Sequence, residues 1–194
     1  MSKKPSTRER ILEAATRMMW ADGYSAVSVD AICEAAGANK GSFYHAFGSK
    51  ADLLVAAIEE VWRVNGGEIR AIYEGPGSAT EKFERHLDWF VTSQRRLQAD
   101  HGYVHGHFHM ALSVNVPESA LALIRAQHGA HQDLLLHAIE GVLADRGQQA
   151  DSAWLVIVIG HLISGVMAEA RLANSLDQVE HLPTLVKDLI DRAH

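Results

Sequence analysis

Ser28-Val29-Asp30-Ala31-Ile32-Cys33-Glu34-Ala35-Ala36-Gly37-Ala38-Asn39-Lys40-Gly41-Ser42-Phe43-Tyr44-His45-Ala46-Phe47 reads as two short helices joined by a tight turn. Ser28 is a natural N-cap, because its hydroxyl accepts from an orphan amide of the first turn. Val29, Ile32, Cys33 and Ala36 then share a buried face that Gly37 ends. The second helix is read over Asn39 to Phe47, where Phe43 and Phe47 at spacing four point to one side. With those two aromatics buried, Lys40, Ser42, Tyr44 and His45 are left on the outer face. Two short helices so related form a helix-turn-helix, and the second is short enough for its N-terminal residues to reach base edges.

Upstream, Ser6 with Glu9 makes a capping-box pattern for a helix from Thr7 to Asp22, with Ile11, Leu12, Ala15, Met18 and Met19 on one face and Gly23 as its stop. Downstream, Ser49 with Asp52 opens a fourth helix carrying Leu54, Ile58, Val61, Trp62 and Ile69. Gly66-Gly67 interrupt it, as a hinge or as its end, before the loop Gly75-Pro76-Gly77-Ser78. The apolar spacing predicts a fifth helix from Thr80 to Ala99, a sixth from Gly102 to Val114, and a seventh from Pro117 to Arg146. An eighth follows from Ser152 to Leu172 and a ninth from Val179 to Ala193, with Leu182, Leu185, Val186, Leu189 and Ile190 as its stripe. No stretch reads as a strand. The fold class is all-α, about nine helices, with an N-terminal three-helix helix-turn-helix domain over residues 1–50 and a second helical domain over 51–194.

Composition agrees and excludes alternatives. Apolar residues make up 47% of the 194 and only four are proline, which fits packed helices and neither a disordered nor a fibrous chain. The single Cys33 forms no internal disulfide and no cysteine metal cluster; on the buried face of its helix it reads as a core thiol. Residues Met1 to Thr7 are polar and basic with no apolar run behind them, and Ala153 to Ala168 carries His161, Ser164 and two glycines within fewer residues than a span needs. The expectation is a cytoplasmic protein with no membrane partner. The net charge of −6 is unevenly placed: residues 1–50 carry +2 and the remainder −8, so one end is suited to phosphate and the other is repelled by it. HExxH, phosphate-loop, nucleophile-elbow and Cys-His patterns are absent from the sequence, so an enzyme is not expected.

On the outer face of the second short helix, Lys40 offers a phosphate or guanine contact, Tyr44 a hydroxyl to phosphate, and His45 a donor to either. Gly41 removes a side chain where backbone must approach. Ser28 and Lys50 are placed to hold phosphates on either side of the groove. Solvated surface lysines and a packed tyrosine are the alternative reading. Ile11 to Ala15, Gly23-Tyr24, Val27 to Ile32 and the run Ala35 to Lys50 closely resemble the N-terminal domain of the tetracycline-repressor (TetR) family. That resemblance covers about the first quarter of the chain and assigns Ser28, Lys40, Gly41, Ser42, Tyr44, His45 and Lys50 to operator DNA. Ala46 departs from it, standing where members often carry an aromatic or histidine.

The resemblance further implies a ligand-responsive repressor that binds a palindromic operator as a dimer and is released by a small organic inducer, with no cofactor. Phe83, His86, Phe90, Tyr103, His105, His109, His128 and His161, with Phe108, Met110 and His131, are the candidate chamber walls, mixing aromatic surface with a few polar groups. His101, His105 and His109 would share one helical face and so could form an imidazole site. No cysteine or convincing carboxylate accompanies them, and pocket or packing histidines, with no metal, are the expectation. Ala153 to Ile159 is apolar on every side and needs cover all round, which points to a homodimer through the last two helices, a four-helix bundle as in the family. A DNA-binding protein without an effector is the other reading, distinguished by lacking a cavity.

Overall fold

The computed structural model describes residues 4–104 and 115–193. Its helices are α1 (Thr7–Asp22), α2 (Val29–Ala35), α3 (Lys40–Phe47), α4 (Lys50–Glu74), α5 (Ala79–His101), α6 (Glu118–Arg146), α7 (Ser152–Ala173) and α8 (Leu182–Asp191), the last preceded by a 3₁₀ turn, Val179–His181. No strand occurs among the described residues. The helix expected over 102–114 lies almost wholly outside them.

The described residues form two compact units, within the bounds Met1–Asn65 plus Phe108–Gln127 and Gly66–His107 plus His128–His194. The first unit takes in the first part of α4 and the opening turns of α6, which pack with the first three helices. In this first unit the helix starts are fixed by side chains. Ser6 and Glu9 exchange the two capping-box bonds, the Ser6 amide donating to Glu9 Oε2 at 2.6 Å and the Glu9 amide to Ser6 Oγ at 3.2 Å. Ser28 accepts from the Ala31 amide, Asn39 from the Ser42 amide and Ser49 from the Asp52 amide. Each satisfies an amide that the first turn leaves orphaned. The core so assembled includes Ile11, Ala15, Met19, Ile32, Phe43, Leu53, Leu54, Ala57 and Ile58, joined by Ala120 and Ile124 of α6.

The second unit holds two apolar clusters. One joins Phe83 and Leu87 of α5, Leu135, Ile139 and Val142 of α6, Leu155 and Ile159 of α7, and Val186 and Ile190 of α8. The other joins Val91, Val104, Met167, Ala170, Leu176, Val179 and Leu182. Asn174 ends α7 in the left-handed region with φ of 50°. Its side-chain Oδ1 accepts from the Val104 amide at 2.9 Å, and its carbonyl accepts from Gln98 Nε2 at 3.1 Å.

Three helix limits differ from the sequence expectation. Gly66 and Gly67 neither end nor interrupt α4, which is continuous to Glu74; burial of Leu54, Ala57 and Ile58 before them and of Ile69 after outweighs about 1 kcal/mol per glycine. α5 starts at Ala79, not Thr80, because Ser78 and Glu81 form a second capping box. The last helix is shortened to Leu182–Asp191, with Pro183 in its first turn. α7 reaches 22 residues at a mean hydropathy of 1.8, long and apolar enough by length and composition to cross a membrane, although Leu155, Val156, Ile159, Met167 and Ala170 are buried against its own unit.

Phe43 is fully buried and is the largest such side chain of the first unit. Phe43→Ala is expected to lower unfolding stability by about 3–5 kcal/mol in chemical denaturation, whereas Glu34→Ala, on the exposed side of α2, stays within about 0.5 kcal/mol.

Candidate nucleic-acid interface and effector unit

α3 turns one face inward and one outward. Phe43 is fully buried with Phe47 at 6.2 Å between ring centroids, and Tyr44 meets the Phe43 ring edge-on at 5.1 Å while remaining 52% exposed. Lys40, Gly41 and His45 are exposed and Ser42 is half-buried. The residues predicted for DNA contact on this helix therefore share its outward side. Asn39, which the sequence reading placed at the helix start without a role, is the cap that holds that end: its Oδ1 accepts from the Ser42 amide at 2.8 Å. A Cβ at Gly41 would sit 3.2 Å from this same oxygen, so glycine there also protects the cap.

The cations are not all free to move. Lys40 Nζ pairs with Asp30 Oδ1 at 2.8 Å, both side chains more than half exposed, and the pairing holds Lys40 charged. Lys50 lays its ammonium 4.1 Å over the Tyr24 ring, and its partial burial there pushes its pKa down. Arg8 sits 4.9 Å over the Phe47 ring. Neither cation–π contact follows a helical spacing, so periodicity could not have found them. Ser28 spends its hydroxyl on the α2 cap. Cys33 is buried, and burial with the neighbouring Asp30 pushes the thiol up, away from the reactive thiolate.

Residues 11–57 match the family described as bacterial regulatory proteins, tetR family. Residues 11–57 are thus a tetR-family domain. Two curated relatives carry matching descriptions: the HTH-type transcriptional regulator AcrR of Shigella flexneri, 33% identical over 99 residues that make 46% of this chain and 44% of that one, and an HTH-type transcriptional regulator in the lacX 3′ region of Lactococcus lactis subsp. lactis, 25% identical over 111 residues, 56% of each. The chain spans about half the length of the curated relatives it matches. A tetR-family regulator from Agrobacterium tumefaciens has the same fold at a TM-score of 0.80 and 18% identity, over 96% of this chain and 97% of that one. The tetR family consists of transcriptional regulators and not of enzymes.

In the second unit the predicted wall residues are dispersed. Phe83 is a core residue, and Phe90 packs on the cluster around Val91 and Met167. Tyr103 stacks on His101 at 6.0 Å. His128 is exposed, with Gln132 at 3.4 Å, and His161 is exposed on α7 with its Nδ1 2.7 Å from the Ile157 carbonyl. His105, Phe108, His109 and Met110 lie outside the described residues. Among the described residues no group of three His, Cys, Asp or Glu could hold a metal ion. Among the described wall residues, His86 is buried beside polar groups, with His131 next to it, and its other neighbours were not among the expected walls. Its Nδ1 is 2.9 Å from the Tyr73 hydroxyl, and its ring lies 5.8 Å from Trp89 and 5.9 Å from His131. Trp89 in turn donates through Nε1 to Glu68 Oε2 at 2.5 Å.

Burial pushes His86 down to about 3, with His131 adding to it, and burial also lowers His131. Both imidazoles are neutral in the folded protein at neutral pH, and burial raises the Tyr73 phenol. Because the folded-state values lie below the unfolded value of 6.5, the unfolded chain takes up protons first as pH falls. Stability is therefore fully present well above pH 6.5 and declines as pH falls through and below it, the His86 contribution approaching about 1.4 kcal/mol per pH unit. His86→Phe should flatten the decline of the thermal midpoint between pH 6.5 and 4.5 relative to the parent; an unchanged slope means His86 is already solvated.

Proposed function

We propose that the chain is a ligand-responsive transcriptional repressor, acting in the cytoplasm, that binds a palindromic operator as a homodimer and is released by a small organic inducer. DNA recognition falls to residues 1–50, and effector binding and dimerisation to residues 51–194. The observation that carries the reading is the two-sided α3, with Phe43 and Phe47 buried and Lys40, Gly41, Ser42, Tyr44 and His45 outward at its N-terminal and central turns. Such a helix fits the major groove, where its first residues meet base edges while Ser28 and Lys50 flank it toward phosphate.

Affinity for an operator selected from a random duplex pool should fall steeply with salt. Tyr44→Ala and Lys40→Ala should each weaken binding by about 1–3 kcal/mol with unchanged thermal midpoints. Parent-like affinity in both would remove α3 from the groove.

Dimerisation is supported by the second face of α7. Trp154 and Ile157 are 51% and 58% exposed and Leu172 is 84% exposed; His161, Gly165 and Ala168 are exposed between them at helical spacing, and Leu185 of α8 is 44% exposed. An apolar stripe of this length is suited to a second copy across a two-fold axis, which also sets two recognition helices on half-sites about 34 Å apart. Nothing lies within 4 Å of a Cβ at Gly165, so an arginine there fits the single subunit but brings an unpaired charge into a dimer seam. Gly165→Arg should elute as a monomer by light scattering; a persisting dimer would place the seam elsewhere.

A further inference from the structure

The second unit carries a cleft of about 410 Å³ lined by Tyr73, Ala79, Lys82, Leu134, His137 and Ala138, none of them among the predicted wall residues. Its size is within the range of sites for small organic ligands, and its lining follows their pattern of an apolar surface with a few polar groups. Ala79, Leu134, Ala138 and the Tyr73 ring supply the apolar surface. The polar groups are of one sign or neutral. The Lys82 side chain makes no ion pair or hydrogen bond among the described residues, while other cations of the same unit are taken: Arg95 by Glu180, Arg146 by Asp191 and Lys187 by Glu84. His137 has its Nδ1 2.6 Å from the Asp133 carbonyl, which leaves Nε2 as its second ring nitrogen. No carboxylate lines the cleft. Tyr73 forms part of the wall and is joined through its hydroxyl to buried His86. The cleft wall and the polar interior of the unit are thus one hydrogen-bonded structure.

We infer that this cleft is the effector site and that it takes an organic acid with an apolar body, the carboxylate paired with Lys82 and the body seated on Tyr73, Leu134 and Ala138. The inference rests on the reading of residues 51–194 as an effector domain and gives that reading a place and a ligand class. A carboxylate is preferred over a neutral head group because an ammonium with no partner carboxylate attracts an anion more strongly than a dipole. A cationic ligand meets Lys82 as a like charge and is disfavoured.

The test is calorimetric titration of the full chain with sodium phenylacetate and sodium octanoate, against phenylacetamide and octan-1-ol as neutral partners of the same bodies. Both acids should bind and raise the thermal midpoint, and at least one should bind about tenfold or more tightly than its neutral partner. Lys82→Met, which keeps the apolar stem, should erase that preference, and Lys82→Arg should keep it. Leu134→Trp, which fills the cleft, should remove binding of both acids. Binding of neither acid at up to about 1 mM overturns the inference. So does an acid preference that survives Lys82→Met, or acid binding that survives Leu134→Trp. Operator binding measured in the same samples separates the two readings: acids that bind through Lys82 yet leave operator affinity unchanged establish the site and refute its effector role.

Discussion

An eight-residue helix has little stability of its own in water, since the cost of nucleating it is spread over very few hydrogen bonds. α3 stands because Phe43 and Phe47 are anchored in a core built by α1, α2 and α4. That burial also fixes the rotation of the helix. With the two rings inward, Lys40, Tyr44 and His45 must face out, and a turn of one position about the axis would exchange an aromatic core residue for a charged or polar one. Asn39 and Gly48 fix its two ends, the first by its side-chain cap and the second by accepting the chain at a φ of 72°, a region that side chains avoid. The surface chemistry of the first unit is therefore set by a packing constraint inside it.

The same logic explains what could be read from sequence. Ser6, Ser28, Ser49 and the Phe43–Phe47 pair act within three or four residues of themselves, and their roles are visible as local patterns. Gly66-Gly67 were read from local propensity, which is small beside the burial on both sides of them in α4. Lys50 over Tyr24 and the Tyr73–His86–His131 group join residues far apart in the chain, and no periodicity reports such contacts. Phe83 and His86 were both expected to line a chamber, but helical spacing could not say that Phe83 closes a dry core while His86 meets a hydroxyl. Nor could it say that the cleft would be lined by Ala79, Lys82 and Ala138, which have no aromatic signature.

α7 shows a different limit. Its sequence is apolar on nearly every side, so the hydrophobic pattern demands cover without saying what provides it. Within its own unit, Leu155, Ile159 and Met167 are buried, whereas Trp154 and Ile157 on the opposite side are not. A soluble helix bundle, a bilayer and a second subunit are all consistent with such a composition; the buried face narrows these by showing that one side of the helix is already occupied by protein.

The ion pair between Lys40 and Asp30 gives the outward face of α3 the character of an ion exchanger. For the ammonium to reach a phosphate it must leave a carboxylate 2.8 Å away, so each engagement is a swap of one anion for another and not a gain of a new contact. A polyanion met in a poor geometry offers less than the carboxylate already in place, and its own charge is opposed by the carboxylate left behind. Chloride competes less for an ammonium so occupied than for a bare one. An anion held at such a surface is therefore retained only where its geometry is better than that of the carboxylate it displaces.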